Sequence, residues 1–198
     1  MIENKMINIC VVILAGGHSS RMGMNKALLP IRNKPVIEKI VGELGSIGDR
    51  TIINSNQPST YTYLGFPVIK DNYVDQGPLA GMEAAMSHVD ANVFIISACD
   101  TPFVKKEVYL HLLDQLNGFD AVVPIYKGKI HPLSGIYTKN VNNKLQQQLD
   151  KQERKVSLMF DHLKVRYVDE FSGIPMEHLD NHFFNMNRPD EYEEAKRL

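Results

Sequence analysis

Residues 10–30 carry the densest group of side chains that could hold an anionic ligand. The apolar run CVVIL is followed by AGGHSSRMGMNK, in which Arg21 and Lys26 are the cations. Glycines directly after a strand let backbone N–H groups approach a phosphate closely, and the cations could offset its charge. Glycine content alone fits an ordinary surface loop equally well, so phosphate binding depends on which other residues lie beside this loop.

The spacing of the glycines excludes two familiar phosphate loops. A Walker A loop needs Gly, four residues and then Gly-Lys-Ser or Gly-Lys-Thr, whereas five residues separate Gly17 from Gly23, and Met24 follows. The dinucleotide fingerprint Gly-x-Gly-x-x-Gly does not fit Gly16, Gly17 and Gly23 either. A nucleotide loop at this position therefore belongs to another class.

An aspartate behind a second buried run is the candidate metal ligand. The segment NVFIISACD predicts a strand with Asp100 at its end, and Pro102 blocks further strand pairing. Because ligands bind beyond the carboxyl ends of parallel strands, Asp100 should lie at the same edge as the glycine loop. A carboxylate there suits Mg²⁺, which takes oxygen ligands and usually shares them with substrate phosphates. The alternative is that Asp100 caps the helix that follows.

Other polar residues are candidates for ligand contacts. Asn54 ends a short strand, where asparagine is also a common turn former. Asp71 precedes the stretch QGPLAG, which on physical grounds is a turn that opens a helix. Asn185 and Asn187 alternate along an extended stretch, so their amides should point the same way. Asn187 could also cap the helix that begins near Pro189.

Strand and helix patterns alternate along the chain. Buried-strand patterns fall at 7–14, 51–54, 67–70, 92–100 and 120–125, with a late edge strand at 164–169, and helical patterns fall at 36–47, 78–89, 105–117, 141–162 and from Pro189. This order predicts an α/β fold with a mostly parallel sheet and helices on both faces. Lys-Gly-Lys within 126–137 predicts a hairpin insertion, followed by His131. Residues 1–198 are predicted to form a single domain.

Composition excludes several classes of protein. The chain has 198 residues, 43% of them hydrophobic, and a formal net charge of −1, so no overall basic field draws it to nucleic acid or to an anionic membrane. Its two cysteines lie in apolar runs, which predicts a reducing compartment rather than a disulfide framework. The N-terminus lacks the apolar core of a secretory signal, and no stretch approaches a membrane span. A cytoplasmic location is the expectation.

The glycine loop has a more specific pattern than its glycine content. Leu-Ala-Gly-Gly-x-Ser-x-Arg-Met-Gly-x-x-Lys-Ala-Leu-Leu at 14–29 resembles the signature of the molybdenum cofactor guanylyltransferases, the MobA family. The resemblance implies a three-layer, Rossmann-like fold of the nucleotide-diphospho-sugar-transferase type. It also implies that Leu14, Ala15 and Gly16 contact the nucleotide and that Arg21 and Lys26 act in catalysis by balancing triphosphate charge.

The other candidates match this family in the same order along residues 14–189. The resemblance implies that Asn54 and Asp71 bind the nucleotide, as does Asp100, which would also hold the metal and act in catalysis. For His131, Asn185 and Asn187 it implies positions toward the pterin substrate. His131 otherwise reads as a structural or exposed histidine.

The resemblance implies an enzyme that transfers GMP from GTP to the phosphate of Mo-molybdopterin, with Mg²⁺ and with release of pyrophosphate. Transient contacts with cofactor-biosynthesis proteins and acceptor molybdoenzymes are implied as well. The alternatives are a cytidylyltransferase or a sugar-phosphate nucleotidyltransferase of the same fold and, from another class, a non-catalytic nucleotide-binding regulator. Cytidylyl relatives tend to carry Ala-Ala-Gly in the first loop, so Leu-Ala-Gly-Gly favours guanine.

Overall fold

A computed structural model describes residues 8–16 and 25–198 of the chain. The strands in these ranges are β1 (Ile9–Leu14), β2 (Pro30–Ile31), β3 (Lys34–Pro35), β4 (Arg50–Asn54), β5 (Val68–Ile69), β6 (Val93–Ala98), β7 (Ala121–Tyr126), β8 (Lys129–Ile130), β9 (Ile136–Thr138) and β10 (Val165–Val168). The helices are α1 (Val36–Leu44), α2 (Pro78–His88), α3 (Lys106–Asp114), α4 (Asn142–Asp150), α5 (Met176–His182) and α6 (Pro189–Ala195). None of these helices is long and apolar enough to cross a membrane.

The central sheet is mostly parallel, as predicted. Its strands follow the order β10-β7-β9-β6-β1-β4-β5, and β8 pairs with the end of β7. Strand β1 pairs in parallel with β4 and with β6, whereas β9 runs antiparallel to both β6 and β7. The predicted hairpin at 126–137 therefore returns the chain as an antiparallel strand inside the sheet.

Helices cover both faces of the sheet because alternate side chains of each strand point to opposite sides. On β1, Val11 and Ile13 belong to one buried cluster with α1 and α3, and Val12 belongs to the other with α2 and α4. These three side chains are fully buried, and burying each contributes about 1.5–3 kcal/mol relative to leaving it exposed. The result is the three-layer α/β/α arrangement predicted from sequence.

The structure differs from the predicted elements in four places. The helix α5 and the β2–β3 hairpin were not predicted, and the second half of the helical pattern at 141–162 is a 3₁₀ helix, Val156–His162. Strand β6 ends at Ala98, so Asp100 lies in the turn beyond the strand. The hairpin turn escaped prediction because it uses Arg32 and Asn33 at φ of 50° and 64° instead of glycine.

Candidate active site

A cavity of about 980 Å³ opens at the carboxyl ends of the central strands. Strand β1 lies between β4 and β6, and the chain fills one side of β1 before it crosses to the other. Open α/β sheets bind ligands at such a reversal of strand order. The cavity is lined by every residue predicted above to bind nucleotide: Leu14, Ala15, Gly16, Lys26, Asn54, Asp71 and Asp100.

Backbone hydrogen bonds continue past the strands and hold their ends together. The N–H of Ala15 donates to the carbonyl of Asn54 at 2.9 Å, and the N–H of Cys99 donates to the carbonyl of Leu14 at 3.1 Å. The ends of β1, β4 and β6 therefore form one hydrogen-bonded floor. These hydrogen bonds fix the relative positions of the backbone segments that carry the side chains of the site.

Two asparagines on the β4 side hold the carboxylate of Asp71. Asn54 Nδ2 donates to Asp71 Oδ1 at 2.8 Å and to the carbonyl of Ile69 at 3.2 Å. Asn56 Nδ2 donates to Asp71 Oδ2 at 2.8 Å, while its Oδ1 accepts the backbone N–H of Asp71 at 3.0 Å. Both amide hydrogens of Asn54 are therefore used, and Asn54 Oδ1 and Asp71 can act toward a ligand only as acceptors.

The start of α2 packs directly on this group. A Cβ placed on Gly81 would lie 2.3 Å from Asn54 Oδ1 and 2.9 Å from Leu14 Cδ2, closer than real side chains approach. Gly77 precedes the helix with φ of 67°, a conformation that glycine adopts without strain, and Pro78 occupies the first helical turn. The stretch QGPLAG is thus both a helix start and a close contact at the cavity wall.

On the β6 side, a chain of polar contacts joins Lys26 to Asp100. Lys26 Nζ donates to Asn187 Oδ1 at 2.7 Å, and Asn187 Nδ2 donates to Asn185 Oδ1 at 2.7 Å. The side chain of Asn185 in turn interacts with the carboxylate of Asp100 and lowers its pKa. The structure therefore brings together Lys26, which is one of the two predicted cations, the predicted metal ligand and both predicted asparagines.

Backbone contacts bring the C-terminal segment to this place. The N–H of Met186 donates to the carbonyl of Asp100 at 2.7 Å, between the two asparagine side chains. Glu191 Oε2 accepts the backbone N–H groups of Asn187 and Arg188. Arg188 is the N-cap of α6, so the alternative reading of Asn187 as the cap is wrong.

Burial holds the pKa of Asp100 above its ordinary value. The charge of Lys26 and the interaction with Asn185 lower the pKa, but they offset only part of the effect of burial. Burial, reinforced by the Asp100 charge, also raises the pKa of the Cys99 thiol, so Cys99 is a neutral thiol at this position. Asp100 does not cap the following helix, because the N-cap of α3 is Lys105.

The donor set at Asp100 fits a metal that is shared with substrate. In the described ranges, no group of three His, Cys, Asp or Glu side chains could form a complete protein cage for a metal. Asp100 supplies one carboxylate at the cavity, and Mg²⁺ is usually bound by one or two carboxylates together with substrate phosphates. A divalent metal, which nucleotidyltransferases generally use, is therefore compatible with this site.

Among the described residues, three predicted site residues, His131, Asn185 and Asn187, are not part of the cavity lining, although Asn187 contacts the lining residue Lys26. Arg21 falls outside the described residues, so its predicted role is untested. His131 is half-buried and packs on Phe183, with ring centroids 4.6 Å apart, and burial lowers its pKa. In the part of the chain that the structure describes, His131 is not among the residues that line the cavity. Its assignment to the pterin side remains a prediction.

Sequence reasoning missed cavity residues outside the recognised motifs. Asn25 and Asn56 line the cavity and hold Tyr61 and Asp71, respectively. Arg154, an exposed residue just beyond α4, also lines it and adds a cation. The sequence Asn54-Ser55-Asn56 places a second side-chain amide two residues after the predicted Asn54, and this pair could have identified Asn56 as a cavity residue. No signal in the sequence singled out Arg154, which lies in a run of charged residues.

A mostly parallel sheet with a cavity at its strand reversal, lined by a lysine and an aspartate, suits a nucleotidyltransferase, and comparison with known proteins shows that this chain is one. The match to a known sequence family also identifies the family within this class of enzymes. The sequence model of the MobA-like NTP transferase domain matches residues 11–165, and the chain belongs to that family.

Relatives and solved structures agree with this assignment over nearly the whole chain. A probable molybdenum cofactor guanylyltransferase of Carboxydothermus hydrogenoformans is 37% identical over 98% of both chains. One from Clostridium perfringens is 34% identical over 97% of this chain and 98% of its own. The crystal structure of molybdopterin-guanine dinucleotide biosynthesis protein A from Archaeoglobus fulgidus superposes with a TM-score of 0.81 at 26% identity, covering 95% of this chain and 97% of that one.

Proposed function

We propose that this protein transfers GMP from GTP to the terminal phosphate of Mo-molybdopterin, which forms the guanine dinucleotide form of the molybdenum cofactor and releases pyrophosphate. The observation that carries the proposal is one cavity that gathers Lys26, Asp100 and the Asn54–Asp71 pair at the strand reversal. Full-length relatives named as probable guanylyltransferases support the same reaction.

The reaction joins two anions, which sets its main difficulty. An oxygen of the pterin phosphate attacks the α-phosphorus of GTP, and the bond from that phosphorus to the oxygen bridging the β-phosphate breaks. The attacking oxygen is already ionised at neutral pH, so the step requires no general base. Positioning and charge compensation should therefore supply most of the rate enhancement. Lys26, held by Asn187 on the Asp100 side, suits that role.

Mg²⁺ is the proposed metal, and Asp100 would hold it. The ion would supply a positive charge shared with the phosphates of the nucleotide. Asn185 and the charge of Lys26 both favour the ionised carboxylate of Asp100 that a metal requires. Arg21 is proposed to offset charge on the same triphosphate.

The base and ribose would meet the other side of the cavity. Asn54 Oδ1 and the Asp71 carboxylate are acceptors, so they suit N–H groups of a base or hydroxyl groups of a ribose. Guanine presents an amino group and a ring N–H as adjacent donors, which matches a wall of acceptors. Leu14, Ala15 and Gly16 would contact the same nucleotide.

The pterin phosphate needs a second cation near the α-phosphate. Arg154 lines the cavity and is the candidate, because an arginine can bind phosphate oxygens through two parallel hydrogen bonds. Asn185 and Asn187 remain proposed pterin-side residues, as does His131. Residues 1–198 are proposed to act as one domain in the cytoplasm, with transient contacts to other cofactor-biosynthesis proteins and acceptor molybdoenzymes.

Thermal unfolding with nucleotides tests the guanine assignment. Ligand at about 100 times its dissociation constant stabilises the native state by about 2.7 kcal/mol, which corresponds to a rise in Tm of roughly 5–10 °C for a chain of this size. With Mg²⁺ present, GTP should give this rise, and CTP, ATP and UTP should give clearly less. A larger rise with CTP would replace guanylyl transfer with cytidylyl transfer.

A further inference from the structure

The hydroxyl of the buried residue Tyr61 contacts two residues that line the cavity, Ala15 and Asn25. Tyr61 is fully buried, between the 3₁₀ turns Pro58–Thr60 and Thr62–Leu64 of the β4–β5 connection, and its ring belongs to the core cluster under α1. Although Tyr61 is not exposed itself, its phenol contacts residues that line the cavity. A side chain in that position can influence a ligand only through those residues.

The phenolic oxygen of Tyr61 joins three separate segments of the floor. Asn25 Nδ2 donates to it at 2.9 Å, and the hydroxyl donates to the carbonyl of Ala15 at 3.3 Å. The side chain of Ser55, at the end of β4, also interacts with the phenol. Ala15 follows β1 directly, whereas Asn25 directly precedes Lys26, so one hydroxyl connects the end of β1 to the residue beside the site lysine.

Asn25 passes this constraint to Lys26. Asn25 Oδ1 accepts the backbone N–H of Ala27 at 3.1 Å and so caps the 3₁₀ turn Lys26–Leu28. The carbonyl of Asn25 accepts the N–H of Leu28 at 3.1 Å. With its Nδ2 on Tyr61 and its Oδ1 on Ala27, the Asn25 amide has one orientation that satisfies both ends. The backbone from which the Lys26 side chain extends is therefore fixed by this amide.

The hydroxyl group of Tyr61 both donates and accepts, and only the neutral phenol can do so. Burial raises the pKa of Tyr61, which keeps the proton on the oxygen. Phenylalanine would keep the ring packing, but it would leave the Ala15 carbonyl and the Asn25 amide without this partner. A buried polar group that loses its partner either costs free energy or moves to find another.

We propose that Tyr61 is a positioning residue for nucleotide binding, whose hydroxyl fixes the Ala15 carbonyl and the Asn25 amide and, through Asn25, the backbone of Lys26. This role rests on the proposed GTP site. It predicts that the hydroxyl, rather than the ring, influences the affinity for GTP, although Tyr61 is fully buried and is not among the described residues that line the cavity.

The test compares Tyr61→Phe with Tyr109→Phe. Tyr109 is also fully buried, and its hydroxyl donates to the carbonyl of Ile96 at 3.0 Å, but it does not line the cavity or contact a residue of the Asn25 turn. The dissociation constant for GTP with Mg²⁺ is measured by titration calorimetry and the stability by urea unfolding. Tyr61→Phe should weaken GTP binding about tenfold, the scale of one lost hydrogen bond. Tyr109→Phe should lose similar stability and keep its affinity within about twofold.

A second arm tests the route through Lys26. In a Lys26→Ala background, Tyr61→Phe should cause a clearly smaller further loss of GTP affinity, because Lys26 is gone and only the Ala15 carbonyl remains to be positioned. A full tenfold loss in that background would overturn this route. Should Tyr61→Phe fail to fold, Asn25→Ala removes the same link from its other end and should give the same tenfold loss.

The outcomes separate this inference from the proposed function. Wild-type affinity for GTP in Tyr61→Phe, with Lys26→Ala weakened, overturns the positioning role and leaves the GTP site in place. Absence of GTP binding by the wild-type protein overturns the proposed function and the positioning role with it. Equal losses of affinity in Tyr61→Phe and Tyr109→Phe would show a general effect of core hydrogen bonds and would also overturn it.

Discussion

Asp71 and Asp100 both line the cavity, but different groups hold their carboxylates. The partners of Asp71 are the neutral side-chain amides of Asn54 and Asn56, one on each oxygen. Asp100 instead lies beside the positive charge of Lys26 and interacts with the side chain of Asn185. Neutral amides fix a carboxylate without cancelling its charge, so Asp71 remains a full acceptor. Lys26 beside Asp100 instead places a positive and a negative side chain together, where the charges of a metal and of phosphates could be compensated.

This difference separates recognition from chemistry. A wall of oriented acceptors distinguishes ligands by their hydrogen-bond donors, and a mismatched donor pattern leaves buried groups unpaired. A paired cation and carboxylate act on phosphates, whose charge changes position during the reaction. Substitutions on the two sides of the cavity should therefore alter different kinetic constants.

The largest expected effect is that of Asp100→Asn. The side chain keeps its size and can still accept from Asn185, but it loses the charge that would hold the metal. We expect kcat to fall about a thousandfold, the upper range for removal of one group that stabilises the transition state. Pyrophosphate release from GTP in the presence of Mo-molybdopterin measures it, and thermal unfolding confirms that the variant is folded.

Asp71→Asn is the matched control for this prediction. It makes the same chemical change on the recognition side, where one amide oxygen would have to serve both Asn54 and Asn56. The KM for GTP should rise and its preference over CTP should shrink, while kcat changes much less than in Asp100→Asn. If the two variants exchanged these effects, the division of the cavity into two functions would be wrong.

Asn56→Ala should have a smaller effect on the same side. It removes one of the two amides on Asp71 and the acceptor for the Asp71 N–H, while the fold around it remains. Hydrogen bonds to charged groups contribute about 1.5–3 kcal/mol, so GTP affinity should fall roughly ten- to hundredfold. Titration calorimetry measures this affinity. Asn142→Ala, whose amide donates to Ser87 instead, is the control and should bind GTP as the wild type does.

An unchanged affinity in Asn56→Ala would show that Asn54 alone orients Asp71. A loss of the same size in Asn142→Ala would point to general destabilisation instead. Each variant removes an asparagine that donates to another side chain. The unfolding free energies of the two variants therefore show how much of any change in GTP affinity comes from lost stability. If Asn56 proves dispensable, the orientation of the Asp71 carboxylate rests on the hydrogen bond from Asn54 alone.

The sequence was sufficient to predict the elements that carry the site. Continuous Val and Ile runs identified β1 and β6, and their parallel pairing follows from the alternation of strands and helices. Helix α5 escaped because only Leu179 and His182 of its seven residues are buried, too few for a periodic pattern. The β2–β3 hairpin escaped because its turn carries no glycine.

Site residues were predictable where they stand in motifs and not where long-range contacts define them. Lys26 and Asn187 each belong to a recognisable motif, although their contact spans 161 residues. Tyr61 belongs to no motif, and its role depends on Asn25 and Ala15, which are 36 and 46 residues away. Local patterns carry no information about which buried tyrosine has its hydroxyl beneath the cavity floor.

A buried histidine supports the Asp100 side, whereas the hydrogen bonds described above for Asn54, Asn56 and Asp71 involve no histidine. His182 is fully buried, and its Nδ1 accepts the backbone N–H of Lys105 at 2.9 Å, at the start of α3. Burial lowers the pKa of His182 to about 3. Its Nε2 has no partner in the described residues. The segment between Asp100 and α3 is therefore held by a histidine that must stay neutral.

The smallest expected effect is a change in the pH dependence of stability in His182→Asn. Between the ordinary histidine pKa of about 6.5 and the folded value of about 3, the unfolded chain binds a proton that the native state does not. The free energy of unfolding must therefore fall as pH falls through this window, and the contribution is fully present above it. The variant lacks this proton site, while its Asn Oδ1 can still accept from Lys105.

Urea unfolding at two pH values measures the difference. His182→Asn should be less stable than the wild type at pH about 7.5, because a buried ring is lost. On lowering the pH to about 5.5, the wild type should lose ~1.4 kcal/mol more than the variant, the free energy of one proton bound only by the unfolded chain. His131, whose pKa burial also lowers, is present in both proteins, so its contribution cancels. Parallel losses in the two proteins would mean that His182 can be protonated in the folded state, and the Asp100 side would then lack the acid-sensitive support that distinguishes it from the Asp71 side.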